Sequence, residues 1–283
     1  GRSVATRDRS ELDHQSLSEL IVGDGFTACE TRKSVGGEVL GEELLLVENL
    51  TCWGSYEGIS FSLRRGEILG IAGLRGSGRT ELLKGIAGIE PPDGGRIFLK
   101  GRERSFRKPS EALGAGVAYL PEERESEGLV KLFSIKDNLI MNSLGQFAVH
   151  GFIRGAAASR RAEQVFEEVQ VKAFSLEQAV EELSGGNKQK VVIGRIMAAG
   201  PEVYLLDEPT RGVDIGAKKS ILSLICERIR GNAGVIMTSP GLDDLIDVCD
   251  RILVLCGGKV VKSYVRAEFD EKQLFMDIQG FGR

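Results

Sequence analysis

Two stretches of the chain combine glycines, hydroxyls and charged groups in an order that suits phosphate chemistry. The first is Gly73-Leu74-Arg75-Gly76-Ser77-Gly78-Arg79-Thr80. Its glycines let the backbone bend so that successive N–H groups face a phosphate, Arg79 brings a positive charge, and Thr80 offers a hydroxyl to Mg²⁺. The second stretch covers residues 183–214, beginning LSGGNKQK and ending YLLDEPTRGVD. Ser184, Gly185, Gly186 and Asn187 form a polar turn ahead of an apolar helical run, 191–197. A short β-type run at 203–206 then delivers Asp207 and Glu208. A buried strand can set one carboxylate near a metal and the next beside the water that attacks a γ-phosphate. A glycine turn at a helix N-terminus offers backbone N–H groups to phosphate oxygens.

Other elements must hold these groups in place. Residues 43–50 and 59–63 read as short strands, and 67–72 (EILGIA) as a buried strand running directly into the first glycine loop, with helical character following at 81–86. A further β-type run, 117–120, ends in Pro121-Glu122-Glu123-Arg124. Residues 125–182 carry helical patterns, and SRRAEQVFEEV at 159–169 sets Val165, Phe166 and Val169 on one face. A solvated charged helix packed locally is the alternative reading of that segment. Beyond Asp214, residues 216–229 read as an amphipathic helix. Two more strands follow at 235–238 and 252–255. Strands alternating with helices in this way predict an α/β protein built on a parallel sheet.

Composition narrows the setting. The chain has 283 residues, 42% of them apolar and 6% aromatic, enough for one large core or two smaller ones. A net charge of −4 argues against a nucleic-acid partner, which requires a basic face. No apolar run reaches the roughly 18 to 20 residues that span a bilayer, so contact with a membrane is expected to go through another protein. Five scattered cysteines, Cys29, Cys52, Cys226, Cys249 and Cys256, include no CxxC pair, and predict reduced thiols in a cytosolic protein. The two histidines, His14 and His150, lie far in sequence from both motif stretches.

Residues 1–23 align without a gap to residues 258–280. Eight positions of the 23 are identical, namely Gly1, Val4, Arg9, Glu11, Asp13, Leu17, Ile21 and Gly23 with their counterparts. This similarity predicts that residues 1–23 are the closing strand and helix of an earlier copy of the same unit. Residues 24–42, rich in Gly, Thr, Ser and charge, then read as a linker, and residues 43–280 as the second copy.

In this order the glycine loop, the LSGGNKQK turn, the Asp207-Glu208 pair and Asp214 resemble the Walker A, signature and Walker B motifs of ABC-type ATPases over residues 43–280. The chain is similar above all to the second cassette of the tandem ATP-binding subunits that drive bacterial monosaccharide importers, such as those for ribose, galactose and xylose. Asn187 in LSGGNKQK, the RGVDIGAK run, arginine at 79 and PEERESEGLV at 121–130 carry that closer likeness. The resemblance implies a P-loop NTPase fold of the ABC ATPase type, with a RecA-like core, an N-terminal antiparallel β subdomain and an inserted helical subdomain at about 125–182 that grips the membrane partner.

It also implies ATP and Mg²⁺ as ligands. Glu208 would be the catalytic carboxylate, with Trp53, Gly73, Leu74, Arg75, Gly76, Ser77, Gly78, Arg79, Thr80 and Glu122 around the nucleotide and Thr80 and Asp207 at the metal. For the aromatic that stacks on adenine, Trp53 has the better spacing and Tyr56 stays open as the alternative. Leu183, Ser184, Gly185, Gly186, Asn187 and Asp214 would complete a second site in trans, on an N-terminal cassette of the same polypeptide. The further partners implied are transmembrane permease subunits and, indirectly, an extracytoplasmic sugar-binding protein, at the cytoplasmic face of the bacterial plasma membrane.

Three positions depart from the family pattern: Arg79 replaces lysine, Glu122 replaces glutamine and Pro240 replaces histidine. Each lost preorganised contact to a developing charge commonly costs about 10²- to 10³-fold in rate. The site built on this chain's own glycine loop is therefore expected to hold nucleotide better than it hydrolyses it.

Three other functions compete. A tandem ABC ATPase acting on ribosomes or DNA would carry a long basic linker or coiled-coil insertion, which neither residues 24–42 nor the net charge supplies. A cassette that only holds ATP for regulation has no use for the retained Glu208, and a P-loop kinase has none for the LSGGNKQK turn. The cargo is not written in this chain.

Overall fold

The computed structural model describes residues 40–280. The expected earlier-copy tail at 1–23 and most of the linker at 24–42 fall outside the described residues, as do His14 and Cys29. Strands β1 (Glu43–Cys52) and β2 (Tyr56–Arg64) pair antiparallel around a turn at residues 53–55. Tyr56, Ile59, Phe61 and Leu63 of β2 all point inward. Next, β3 (Ile68–Ala72) is buried at every position, and the glycine loop carries the chain from it into α1 (Arg79–Ile86). Strands β4 (Gly94–Leu99) and β5 (Arg102–Arg104) complete a four-stranded antiparallel sheet of order β2-β1-β4-β5, whose edge strand β5 is wholly exposed. Leu45, Val47 and Ile97 from this sheet share one apolar cluster with Leu69 and Ile71 of β3 and Leu82 and Leu83 of α1, which fastens the sheet over the start of the glycine loop.

The chain continues through α2 (Pro109–Gly114) into β6 (Val117–Leu120). After β6 comes a single wide π-type turn, Arg124–Gly128, and then the helices α3 (Ile135–Ile140) and α4 (Leu144–Phe147). Between 125 and 182 the helical pattern is interrupted by a small hairpin, β7 (Ala148–Val149) with β8 (Phe152–Ile153). Its two turn residues, His150 and Gly151, both have positive φ, 50° and 84°, as a tight turn matching the strand twist requires. Helix α5 (Gly155–Glu168) follows and buries Ala158, Ala162 and Val165 at helical spacing. Val169 at its end is buried and Phe166 packs partly against the core, so the face read from the sequence is the face that packs.

Helix α6 (Gly185–Ala199) begins at the LSGGNKQK turn and leads into β9 (Val203–Leu206). The run at 216–229 is not one uniform helix: α7 (Ile215–Leu224) widens into a π-type turn at Ile225–Ile229. Strand β10 (Gly234–Thr238), helix α8 (Leu242–Val248), strands β11 (Arg251–Cys256) and β12 (Lys259–Val265) and helix α9 (Glu271–Ile278) close the described chain.

The second sheet has the order β12-β11-β3-β10-β9-β6, parallel throughout except for the antiparallel pair β11 and β12. Strands β3, β9 and β10 are buried on both faces, which is why their sequences read as unbroken apolar runs instead of alternating ones. Because β3, β10, β9 and β6 are parallel neighbours, their C-terminal ends emerge along one edge, and ligand sites in open α/β sheets lie beyond that edge.

A buried polar contact ties the helical segment to α6. Arg195 of α6 donates from Nε to the Asn138 carbonyl at 2.8 Å and from Nη2 to Asn138 Oδ1 at 2.5 Å, while Asn138 Nδ2 donates to the carbonyls of Val130 and Ser134. Burial alone pulls the Arg195 pKa down to about 10. Replacing Asn138 with Leu removes one acceptor from that guanidinium, frees the Val130, Phe133 and Ser134 carbonyls and leaves the Val130 N–H without its acceptor, and is expected to destabilise the fold by about 3 kcal/mol. The shift of the urea midpoint at unchanged m measures it.

Candidate functional site

Four strand ends meet at the edge just described. The glycine loop leaves β3, Ser239 and Pro240 follow β10, Asp207 and Glu208 follow β9, and Glu122 follows β6. They border a cavity of about 810 Å³ whose wall includes Gly73, Leu74, Arg75, Gly76, Arg79, Thr80, Glu122, Glu208, Arg211 and Pro240. The far wall comes from Leu242, Phe275 and Ile278 on α8 and α9.

The loop has its shape because glycine is required there. Gly78 has φ +98°, and a Cβ on it would sit 2.6 Å from the Ser55 carbonyl, so any other residue would push the turn at 53–55 off the loop. Trp53 lies in that turn, 73% exposed, with its N–H donating to Asp93 Oδ2. Tyr56 is buried, with its hydroxyl against Gly85, and has no open face for a base. Of the two aromatics left open by the sequence, only Trp53 has a free ring. Ser77 is buried beneath the loop, and its hydroxyl has no protein partner.

Arg79 is buried and its guanidinium is already engaged. Nη1 donates to the Ser239 carbonyl at 2.8 Å and Nη2 to Glu208 Oε1 at 3.3 Å. On the other side of Glu208, Arg211 approaches Oε2 with Nε at 3.8 Å while its Nη1 pairs with Glu122 and with Glu123 Oε1 at 3.1 Å. Burial pushes the Glu208 carboxyl above the usual carboxylate range, and the nearby charge of Arg79 opposes that. Glu208 also holds a left-handed backbone, φ 46°, uncommon for a residue with a side chain. Its N–H donates to Thr238 Oγ1 at 2.9 Å.

Asp207 lies one layer deeper. It is fully buried, and its two oxygens accept from Thr238 Oγ1 at 2.7 Å and Tyr119 Oη at 3.1 Å. Burial and the Asp207 carboxylate push the Tyr119 hydroxyl far above its ordinary pKa, so it remains a donor. Among the described residues no group of three His, Cys, Asp or Glu is arranged to hold a metal ion. Mg²⁺ in phosphate sites needs less, one or two hard oxygens with the remaining positions filled by phosphate and water. Of the two residues read as metal-binding, Thr80 is on the wall, and Asp207 is buried behind it without bordering the cavity.

The LSGGNKQK turn lies elsewhere. None of Leu183, Ser184, Gly185, Gly186 and Asn187 borders the cavity. Ser184 is the exposed N-cap of α6, and its hydroxyl accepts from Asn187 Nδ2 at 3.0 Å without capping a backbone N–H. Gly186 must be glycine, because a Cβ there would collide with that of Ala217 on α7. Asp214 caps α7, accepting from Ala217 N at 2.9 Å. Arg124, from the wide turn after β6, binds the two segments together. Its Nη1 and Nη2 donate to the carbonyls of Arg211 at 2.6 Å and Gly212 at 3.0 Å, and the same guanidinium lies against Gly185. Next to it, Glu125 pairs with Lys188 at 3.0 Å. Tyr119, Thr238, Arg211 and Arg124 carry no motif that would have marked them in advance; only the PEER and TRGVD strings hinted at two of them.

Comparison with known proteins adds family context to this geometry. The model of the ABC transporter family matches residues 56–211. A ribose import ATP-binding protein, RbsA, of Geobacillus kaustophilus is 37% identical over 283 residues, covering 100% of this chain and 57% of that protein. RbsA of Bacillus cereus is 43% identical over 266 residues, covering 92% of this chain and 52% of its own length. The chain thus spans about half the length of the curated relatives it matches. Among solved structures, a dimeric ATP-binding cassette in a post-hydrolysis state with ADP and Pi superposes with a TM-score of 0.68 at 20% identity, covering 80% of this chain and 100% of the other. At that identity the likeness speaks for the fold: an ABC ATPase cassette with mixed α/β sheets.

Thr238 links both acidic residues, donating to the Asp207 carboxylate and accepting from the Glu208 backbone N–H. Thr238→Val keeps the shape and removes both bonds inside the core, so a loss of about 2 kcal/mol is expected in chemical denaturation.

Proposed function

This chain belongs to the ABC transporter family, and from that premise we propose that it is the second ATP-binding half of a subunit that energises monosaccharide uptake across a bacterial cytoplasmic membrane. Its relatives named for ribose import support the cargo class, and the match of residues 1–23 to 258–280 supports a preceding cassette in the same polypeptide. The partners in this reading are that N-terminal cassette, transmembrane permease subunits that hold the protein at the cytoplasmic face, and a sugar-binding protein on the other side. The segment at about 125–182 is the part that meets the permease. Two loops there, around Leu132 and Phe133 and at Phe174, leave large apolar side chains exposed.

ATP enters with its phosphates on the glycine loop. Backbone N–H groups of the loop serve phosphate oxygens, apart from that of Ser77, which donates to the Leu74 carbonyl at 3.1 Å; Arg79 supplies the cation beside the β- and γ-phosphates, and Trp53 offers a ring to the adenine. Mg²⁺, when bound with ATP, offsets the charge that builds on the phosphate oxygens; Thr80, with Asp207 behind it, is the group this chain brings to it. Glu208 is the carboxylate placed to orient the attacking water and accept its proton. In the structure, however, both its oxygens face guanidinium groups, and Glu122 is paired with Arg211. Hydrolysis at this site is therefore slow, and its main contribution is to hold nucleotide.

One observation carries the wider reading: the signature turn is intact and exposed, yet lies away from the cavity of its own chain. Ser184 and the open N-terminus of α6 complete the γ-phosphate seat of a facing cassette, where turnover takes place. A second reading, a cassette that retains ATP without turning it over, draws on the engaged state of Glu208. A single-turnover assay with bound ATP separates the two.

In the assembled tandem protein, Ser184→Arg is expected to reduce steady-state ATPase activity and transport at least 100-fold, whereas Glu208→Gln should reduce them only a few-fold. Comparable losses from the two substitutions would show that the sites are equivalent and would overturn the asymmetry.

A further inference from the structure

Three features around the cavity are linked by one side chain. Arg79 stands in the glycine loop, Ser239 follows β10, and Glu208 follows β9. The planar fork of Arg79 spans the other two, one arm on the Ser239 carbonyl at 2.8 Å and the other on Glu208 Oε1 at 3.3 Å. A lysine ammonium is a compact charge and would not bridge two acceptors on separate strands in this fixed way. The side chains of Arg79 and Glu208 are only 9% and 11% exposed, so the pair is shielded from solvent screening.

Ser239 is itself immobilised. Its hydroxyl donates to Asp244 Oδ2 at 2.9 Å, and the same oxygen accepts from Thr210 Oγ1 at 2.7 Å. Lys218 pairs with the other oxygen of Asp244 at 2.5 Å. The carbonyl that holds Arg79 is therefore fixed by the cluster behind it. Glu208 has a second cation, Arg211, within 3.8 Å, which keeps the carboxylate balanced if Arg79 departs.

We propose that Glu208 is the resident anion of this site, and that triphosphate binds by exchange, taking Arg79 from the Glu208 carboxylate while Arg211 retains it. The inference rests on reading the cavity as a nucleotide site and assigns Glu208 a role apart from hydrolysis: it sets the affinity and discriminates between nucleotides. A γ-phosphate competes for the guanidinium that Glu208 occupies. A diphosphate, which reaches it through the β-phosphate alone, competes less well. Exchange of one anion for another leaves no guanidinium unpaired in a buried position at any stage. No covalent step is involved.

The test is a double-mutant cycle on the whole chain, with ATP and ADP binding measured by equilibrium dialysis at fixed Mg²⁺ in the parent, Glu208→Gln, Arg79→Gln and the double variant. Thermal unfolding confirms that each variant is folded, and Glu208→Ala serves as a second version of the carboxylate deletion. Removing the carboxylate is expected to tighten ATP binding about tenfold and ADP binding no more than two- to threefold. In the Arg79→Gln background the same deletion should change ATP affinity less than twofold. Where that background binds too weakly for dialysis, ATP-dependent protection against thermal unfolding gives the comparison. An equal gain in both backgrounds would show that Glu208 acts by general repulsion of phosphate, and no gain with Arg79 present would show that it does not hold the cation; either overturns the exchange. If none of the four chains binds ATP, the nucleotide reading of the cavity fails and the exchange fails with it.

Discussion

The arrangement of the site is decided by main-chain pairing. Thr238 of β10 lies in register with Ile71 of β3, and Met237 of β10 with Leu206 of β9, which is in turn in register with Leu120 of β6. With the four strands locked in this way, the glycine loop, Ser239, the Asp207-Glu208 pair and Glu122 arrive at one edge within reach of each other. Side chains determine what the edge does, but the hydrogen-bonded ladder determines where they start. A parallel sheet keeps that ladder only when both faces are covered, and β3, β9 and β10 are buried at every position. The antiparallel sheet and α1 cover one face, and the α6, α7 and α8 cluster covers the other.

On that scaffold the charges follow a simple rule: a group removed from water must find an opposite partner nearby. Arg79 and Glu208 satisfy it together, Arg211 joins Glu208 to Glu122, and the fully buried Asp207 takes two hydroxyl donors. Arg79 and Glu122 are therefore connected. A wide guanidinium at 79 finds a carbonyl where the chain turns at Ser239 and Pro240, and a carboxylate at 122 joins Glu123 and Glu208 around Arg211. Arg79 and Glu122, far apart along the sequence, are the two ends of one line of ion pairs through Glu208 and Arg211.

Much of this was legible in the residue order. Strand 117–120, the strand entering the glycine loop, the helix after it and the apolar face of α5 follow from periodicity, because these elements bury a continuous stripe or are covered on both faces. The hairpin inside the helical segment was also signalled, by His150-Gly151, but four strand residues are too few to stand out against helical neighbours. What could not be read is the pairing across the sheet. Tyr119 reads as one more residue of a buried strand, and nothing local shows that its hydroxyl meets Asp207, 88 positions away. The choice between Trp53 and Tyr56 likewise depends on which side of the turn packs under α1, a tertiary matter. Of the two π-type turns, one stands alone after β6 and the other continues α7, and no residue spacing announces them.

Arg124 has a mechanical meaning beyond its bonds. Its guanidinium grips the loop after Glu208 through two carbonyls and rests on the first glycine of α6, while the neighbouring Glu125 holds Lys188 on the same helix. The loop behind Glu208 and the N-terminal turn of α6 are thus riveted to a single short arm. Displacing that arm would therefore carry the loop and the helix start together.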